Sequence, residues 1–244
     1  MTGLRALLLS GVGRYADPWH PFAGTSAALA GILQEAGCGV ETAHDVDDAL
    51  ARLVPPAGPV VHGPDTQAAE AARDEGGGLP HLLVVNVGLP RDGGTVPGTP
   101  EASIGLRHWI EAGRPMLVCH ASSTSFIDSP EWEAGLGGRW VRGTSMHPEY
   151  GPAEIHVHPD SGRVVEGIAD FELLDERYSY LQTSPGITVH ATHIHEGREH
   201  PVIWSLDRGR GRTFYDALGH DATSYQSPMH RKILLQAIAW LTAS

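Results

Sequence analysis

The sequence predicts an α/β protein with an open, mostly parallel sheet, helices on both faces and an additional β-rich segment. Continuously apolar runs such as "HLLVVNVG" and "RPMLVC" are typical of strands that helices cover on both sides. Helical patterns alternate with such runs in the first half of the chain, which is typical of parallel sheets. Beyond "CHA" the chain turns to alternating segments, which favour antiparallel or edge strands.

The first half of the chain begins with a strand–loop–helix unit. Residues 4–9 are predicted to form the first strand, and a helix follows. The apolar face of this helix consists of Phe22, Leu29, Leu33 and Ala36. "CGVETAHD" predicts the second strand and "DVDDALARL" a short helix. Residues 55–80 are rich in Pro, Gly, Ala and charged residues, which predicts a surface insertion in a single domain spanning 1–244.

The remaining elements follow in order. "HLLVVNVG" predicts the central strand, "EASIGLRHWIEAG" a helix that packs through Ile104, Trp109 and Ile110, and "RPMLVCHA" another buried strand. "AEIHVHP", "ITVHATHIH" and "HPVIWSLD" predict the β-rich segment, and "GRTFYDALGH" predicts one more strand. Ser227 and Pro228 are expected to begin the last helix. The apolar face of that helix consists of Ile233, Leu234, Ile238 and Leu241.

Charge and cysteine content exclude several classes of function. The chain has 17 Lys and Arg residues and 29 Asp and Glu residues, which give a formal net charge of -12. No run of basic residues occurs in the sequence. Nucleic acid and anionic membranes are therefore poor partners. No apolar stretch is long enough for a membrane span or a secretory signal, so we expect a soluble cytoplasmic protein. Cys38 and Cys119 form neither a metal motif nor a disulfide framework, which suits a reducing compartment.

Ligands of open α/β sheets bind beyond the carboxyl ends of the strands. The residues to consider there are Trp19, His20, Gly88, His120 and His220. The segment "GVGRYA" matches a dinucleotide-binding pattern, but the prolines after it delay the helix whose N-terminus would have to meet the phosphates. We therefore expect this loop to present Trp19 and His20 instead, with His20 as helix cap and Pro21 as the first helical residue.

A sharp turn is predicted where "PMLVCHASS" leaves its strand. Side chains alternate along a strand, so Cys119 and His120 point in opposite directions. Cys119 still belongs to the apolar run and is expected to be an inert buried residue. His120 is the first polar residue after the run, and histidine tolerates a left-handed conformation better than β-branched residues do. The small residues that follow leave room for a tight crossing.

This turn resembles the nucleophile elbow of class I glutamine amidotransferases, with His120 in place of the nucleophilic cysteine. The resemblance implies their flavodoxin-like fold. An imidazole cannot form the thioester that glutamine hydrolysis needs, so we expect no glutaminase activity. Residual amidase activity through Cys119 is an alternative, although this thiol lies one residue early and is expected to face away.

A closer resemblance is to the ThuA-like family, named for trehalose utilisation, which has this amidotransferase-like fold. The matching segments are the "WH" after the first strand, "CHA", "LGGRW", "HPDSGRVVEGIADFELLDERY", "HPVIWSLDRGRGRTFYDALGH" and the Trp240 helix. They spread over nearly the whole chain. Asp216 departs from the family pattern, which usually has a small hydroxyl or apolar residue at that strand position.

The resemblance implies one pocket for substrate. Its expected residues are His20, His120, Asp175, Glu176, Tyr178 and His220. His120 would act as general base or acid with Glu176 as its partner carboxylate, His20 and His220 would contact substrate oxygens or a metal, and Tyr178 would position the sugar. Trp19 and His147 are expected to bind substrate at the pocket edge. If "LLDERY" is extended, Asp175 points away from Glu176 and is structural.

A divalent metal such as zinc is a possible cofactor, held by His20, His120 and His220. The histidines of "HATHIHEGREH" are expected to lie on the surface. The favoured function is acid/base cleavage or rearrangement of a sugar or a 3-keto-glycoside in carbohydrate catabolism. The alternative is a non-catalytic sugar-binding or regulatory module, with aromatic platforms such as Trp19 or Trp132 around a shallow groove. The expected partner is a small carbohydrate. Assembly into a homo-oligomer is one alternative for the chain.

Overall fold

The computed structural model describes residues 3–54 and 78–243. The predicted insertion at 55–80 lies almost wholly outside the described residues, and the single-domain assignment stays a prediction. The strands are β1 Arg5–Ser10, β2 Gly39–Ala43, β3 Leu82–Asn86, β4 Met116–Cys119, β5 Gly138–Arg139, β6 Gly151–Val157, β7 Phe171–Asp175, β8 Gln182–Thr183, β9 Thr188–His195, β10 Arg198–Asp207 and β11 Arg212–Asp216. The described α-helices are α1 Phe22–Glu35, α2 Val46–Ala51, α3 Pro100–Glu111, α4 Pro130–Leu136 and α5 Pro228–Thr242.

A mixed sheet organises the described part of the chain. Its strand order is β2-β1-β3-β4-β11-β10-β9-β6-β7. The neighbours from β2 to β11 pair in parallel, and those from β11 to β7 pair antiparallel. Helix α1 contacts α5, whereas α3 contacts α2 and α4, and both groups contact the central strands. The predicted fold class, including the additional β-rich segment, is confirmed.

Most predicted helices have the predicted ends and buried faces. Ser227 accepts a hydrogen bond from the backbone N–H of His230 at the start of α5, and the predicted apolar face of α5 is buried. Two details were wrong. Helix α1 begins at Phe22, with Pro21 in the cap position. Ile104 is 44% exposed because the buried stripe of α3 runs through Ala102, Leu106 and Trp109, and residue 104 falls outside it.

No described helix is both long and apolar enough to cross a membrane.

The histidines of β9 and β10 were wrongly predicted to lie on the surface, since His190, His193 and His200 are buried. The reason is that other segments cover the faces of β9: Ser161 lies against His190, and Tyr178 and Ser179 lie against His193. His190 hydrogen-bonds the hydroxyls of Ser161 and Ser205, both at 2.8 Å. Nε2 of His193 donates to the carbonyl oxygen of Tyr178 at 3.0 Å. Burial lowers the pKa of both His190 and His193 to about 4.

These two histidines should make stability depend on pH. Their folded-state pKa values lie below the value of about 6.5 for an unfolded histidine, so the unfolded state binds more protons between pH 6.5 and 4. Their contribution is therefore complete above pH 6.5 and is lost as the pH falls. Each should lower the free energy of unfolding by about 2 kcal/mol between pH 7 and pH 5.

Urea unfolding of the wild type and His193→Gln at both pH values measures this effect. The glutamine amide can still donate to the Tyr178 carbonyl but does not titrate. The variant should lose about 2 kcal/mol less than the wild type on acidification. Equal losses in the two proteins would show that His193 is not held neutral by the fold.

Candidate active site and metal centre

The turn after β4 places His120 at the carboxyl end of the sheet. His120 has a φ of 41°, in the left-handed region, and begins a 3-10 turn that runs to Thr124. Its Nδ1 donates to the carbonyl oxygen of Ala217 at 2.6 Å. Since a carbonyl only accepts, Nδ1 carries a proton, and Nε2 is the ring nitrogen that remains for the centre. The hydroxyl of Tyr215 donates a hydrogen bond to the carbonyl oxygen of His120 at 2.9 Å.

Cys119 lies on the opposite side of β4 and is fully buried. Burial, together with the nearby Asp216, raises the pKa of its thiol well above the ordinary value. A thiol in this environment is not ionised at neutral pH and is not a nucleophile. The structure therefore agrees with the expectation that Cys119 is inert.

The loop after β1 fixes His20 through Asp17. One carboxylate oxygen of Asp17 accepts the backbone N–H groups of Trp19 and His20, both at 3.0 Å, and lies 2.7 Å from Nδ1 of His20. A carboxylate on the far nitrogen orients an imidazole and leaves its Nε2 available. Gly88 is required beside this carboxylate, because a Cβ there would lie 2.3 Å from an Asp17 oxygen. Asp17 was not among the predicted site residues, although Asp-Pro is a common start of such a turn.

Asp175 holds the third histidine and the glutamate in place. It is fully buried at the end of β7 and accepts backbone N–H groups from Gly219 at 2.6 Å, His220 at 3.0 Å and Glu176 at 2.8 Å. Both of its oxygens are thus used on the backbone. Asp175 was predicted among the catalytic residues, with a structural role as the alternative, and these backbone contacts make it a positioning residue.

The three imidazoles converge on Glu176. Its Oε2 lies 3.4 Å from Nε2 of His120, 3.3 Å from Nδ1 of His220 and 3.9 Å from Nε2 of His20. All three nitrogens are buried and make no hydrogen bond within the described residues. Buried polar atoms usually have a partner, so three of them facing one carboxylate suit the binding of a ligand.

The electrostatics of this histidine–glutamate centre, formed by His20, His120, His220 and Glu176, are strongly coupled. Burial opposes ionisation of Glu176, but the three histidines outweigh it and hold its pKa well below the usual range. Burial also lowers the pKa of His20, whereas Asp17 and Glu176 outweigh this and raise it to about 9. The glutamate is therefore ionised, and a proton on His20 competes with any metal ion.

The centre fits a divalent metal ion. One donor atom from each of the four residues lies within 4.8 Å of the others. Tetrahedral zinc with bonds of about 2.0–2.2 Å has donor atoms about 3.3–3.6 Å apart, close to the distances seen here. Asp17 and the Ala217 carbonyl orient two of the ligands from behind, as in known metal sites. In the described part of the chain, no other three or more His, Cys, Asp or Glu side chains converge in this way.

Other predicted residues surround the centre. Tyr178 is buried, and its ring stacks on that of His120 with 4.3 Å between centroids. His147 lies at the rim, with Nε2 3.6 Å from Oε1 of Glu176 and its side chain 36% exposed. Trp19 is 67% exposed beside His20. Trp132 is buried against Phe126, so it cannot form a platform for a sugar.

Two aromatic residues at the site were missed. The Trp140 ring lies 4.7 Å from that of Tyr178, and the Tyr150 ring lies 5.4 Å from that of His220, between centroids. Trp140 belongs to the "LGGRW" segment, which matches the family pattern, but the resemblance implied no role for this residue. No local pattern in the sequence marks Tyr150.

Asp216 does not face the centre. It is fully buried and forms an ion pair with Nε2 of His230 at 2.7 Å, while its other oxygen accepts the backbone N–H of Leu218 at 3.0 Å. Although burial opposes the charge, Asp216 raises the pKa of His230. Asp216, the residue that departs from the family pattern, therefore supports the turn that carries Ala217 and His220 from behind.

Comparisons with solved structures agree with this fold. A ThuA-like protein from Parabacteroides merdae superposes with a TM-score of 0.72 at 16% identity, covering 98% of this chain and 90% of that chain. A ThuA-like protein from Bacteroides uniformis gives 0.68 at 13% identity, covering 98% and 91%. A cytoplasmic protein from Salmonella typhimurium gives 0.58 at 10% identity, covering 98% of both chains. At these identities the similarity shows the fold alone.

Two comparisons of the sequence with known proteins bear on the family of this chain. No curated protein matches the chain. The ThuA family, described as trehalose utilisation, matches residues 83–241, a segment that includes His120, Glu176 and His220 but not His20. Because this segment is more than half of the sequence, the chain belongs to the ThuA family.

Proposed function

We propose that the chain is an enzyme of carbohydrate catabolism that cleaves or rearranges a sugar or a 3-keto-glycoside by metal-assisted acid/base chemistry at the histidine–glutamate centre. The observation that carries the proposal is the set of three buried, unpartnered imidazole nitrogens around the ionised Glu176. The family description, trehalose utilisation, supports a carbohydrate role in general.

The residues divide into ligands and rim groups. His20, His120, His220 and Glu176 would hold the metal, which supplies a Lewis acid that polarises a substrate oxygen. This role replaces the general-base role expected for His120, since both of its nitrogens are then engaged. Nε2 of His147, 3.6 Å from Oε1 of Glu176, is the rim group available for proton transfer, since the low pKa of Glu176 makes its carboxylate a weak base.

A 3-keto group suits such a centre. It acidifies the neighbouring C–H, so a rim base can remove the C2 proton to give an enolate. The enolate electrons then form the C1–C2 double bond and expel the C1 oxygen substituent, which takes up a proton. Tyr178 keeps the His120 ring in place through their stacked contact.

The binding-module alternative is less well supported. Such a module was expected to have aromatic platforms around a shallow groove and no converging histidine–carboxylate cluster. The cluster is present, and Trp132, one of the two expected platforms, is buried.

Metal analysis and a substrate panel test the proposal. Purified protein loaded with Zn²⁺ and then dialysed should retain about one ion per chain. It should turn over at least one member of a panel of native and 3-keto disaccharides. Chelation should abolish turnover, and added Zn²⁺ should restore it. Absence of both bound metal and turnover would favour the binding module.

A further inference from the structure

A cavity lies near the histidine–glutamate centre. Its volume is about 300 Å³, and its lining residues include Thr124, Arg139, Trp140 and Arg142. It adjoins the centre in two ways. Thr124 ends the 3-10 turn that begins at His120. The Trp140 ring packs against the Tyr178 ring with 4.7 Å between centroids, and the Tyr178 ring stacks on His120 at 4.3 Å, so these two rings lie between this cavity and the centre.

Arg142 gives this cavity a positive charge in a chain of net charge -12, whereas the charge of Arg139 is balanced by Glu133. Nη1 of Arg139 lies 3.4 Å from both a Glu133 oxygen and the Ile127 carbonyl, while its buried Nε has no hydrogen-bond partner among the described residues. Arg142 is exposed and makes no ion pair or hydrogen bond with any residue that the structure describes. A guanidinium without a protein acid beside it is a natural partner for a carboxylate or a phosphate.

We propose that this arginine cavity binds an anionic group of the substrate, a carboxylate or phosphate carried by a sugar unit next to the reacting one. The inference rests on the proposed function, because it treats the cavity as part of the same substrate site. The cavity volume of about 300 Å³ is at the lower end of the range for ligand pockets and is sufficient for one sugar unit. Trp140 supplies apolar surface for the sugar ring, and Arg142 supplies the charge-assisted hydrogen bonds.

The test measures binding of three probes to the zinc-loaded protein by calorimetry. The probes are D-glucose, D-glucuronate and D-glucose 6-phosphate, and the proteins are the wild type, Arg142→Gln and Arg107→Gln. Arg107 is an exposed arginine of α3 outside the cavity, so its variant has the same change of charge. At least one anionic sugar should bind the wild type about tenfold more tightly than glucose does. The anionic sugar that binds more tightly shows whether the cavity prefers a carboxylate or a phosphate.

Arg142→Gln should remove this preference, and Arg107→Gln should keep it. Binding of an anion to the metal alone would survive in Arg142→Gln and would overturn the proposal. Equal affinity for all three sugars in the wild type would also overturn it. The outcomes separate the two proposals, because a protein without metal or turnover can still show the Arg142-dependent preference. Conversely, metal and turnover without that preference would refute this inference alone.

Discussion

Replacing His120 by asparagine is expected to lower zinc affinity about a hundredfold or more and kcat by about three orders of magnitude. The reason is that Nε2 of His120 is one of the four converging donor atoms. Its loss leaves two imidazoles and one carboxylate. Asparagine is the appropriate substitution because His120 has a φ of 41°, a conformation that asparagine tolerates better than alanine does.

The measurements are the zinc content after dialysis and kcat on the substrate identified in the panel. His108→Asn on α3 is the matched control, because it makes the same substitution on a helix away from the centre and should retain both values. Circular dichroism should show the same secondary structure in both variants. Stoichiometric zinc and wild-type kcat in His120→Asn would refute the metal centre.

The convergence of the histidines could be predicted from local sequence together with one rule of the fold. His20, His120 and His220 each follow a parallel strand, and the carboxyl ends of parallel strands meet at one edge of the sheet. Glu176 follows the antiparallel strand β7, so this rule does not reach it. It was expected in the pocket only through the family resemblance.

The role of Asp175 could not be predicted in this way. Its partners Gly219 and His220 are 44 and 45 residues away in the sequence. A buried acid bound to backbone N–H groups has the same sequence signature as a catalytic acid on the strand end. Only the tertiary arrangement separates the two roles.

The buried histidines of β9 show the same limit in the fold. Their segment alternates as an edge strand would, and polar residues are usually exposed. Their burial depends on segments outside β9 that cover its two faces, such as those of Ser161 and Tyr178. Ser161 and Ser205, which satisfy His190, come from two other segments.

Replacing Asp216 by alanine is the second large effect that we expect. Asp216 and His230 are both fully buried, and removal of the carboxylate would leave the imidazole without its partner in the core. Breaking a buried ion pair in this way costs about 3–5 kcal/mol of the free energy of unfolding. For a protein of this size, that loss corresponds to a fall in Tm of about 10 °C.

The same substitution should also weaken the metal centre. Asp216 accepts the backbone N–H of Leu218, in the turn that carries both the Ala217 carbonyl and His220. A looser turn would misplace one metal ligand and the acceptor that orients another. Supporting groups of this kind typically change metal affinity by about 10–100-fold.

A double-mutant cycle separates the ion pair from a general loss of packing. If the pair is responsible, Asp216→Ala and His230→Ala should each be strongly destabilising, and the double variant should cost much less than the sum of the two. Urea unfolding at pH 7 measures all four proteins. Additive costs would mean that the two side chains act independently. In that case the ion pair would not account for the effect of the departure from the family pattern at Asp216.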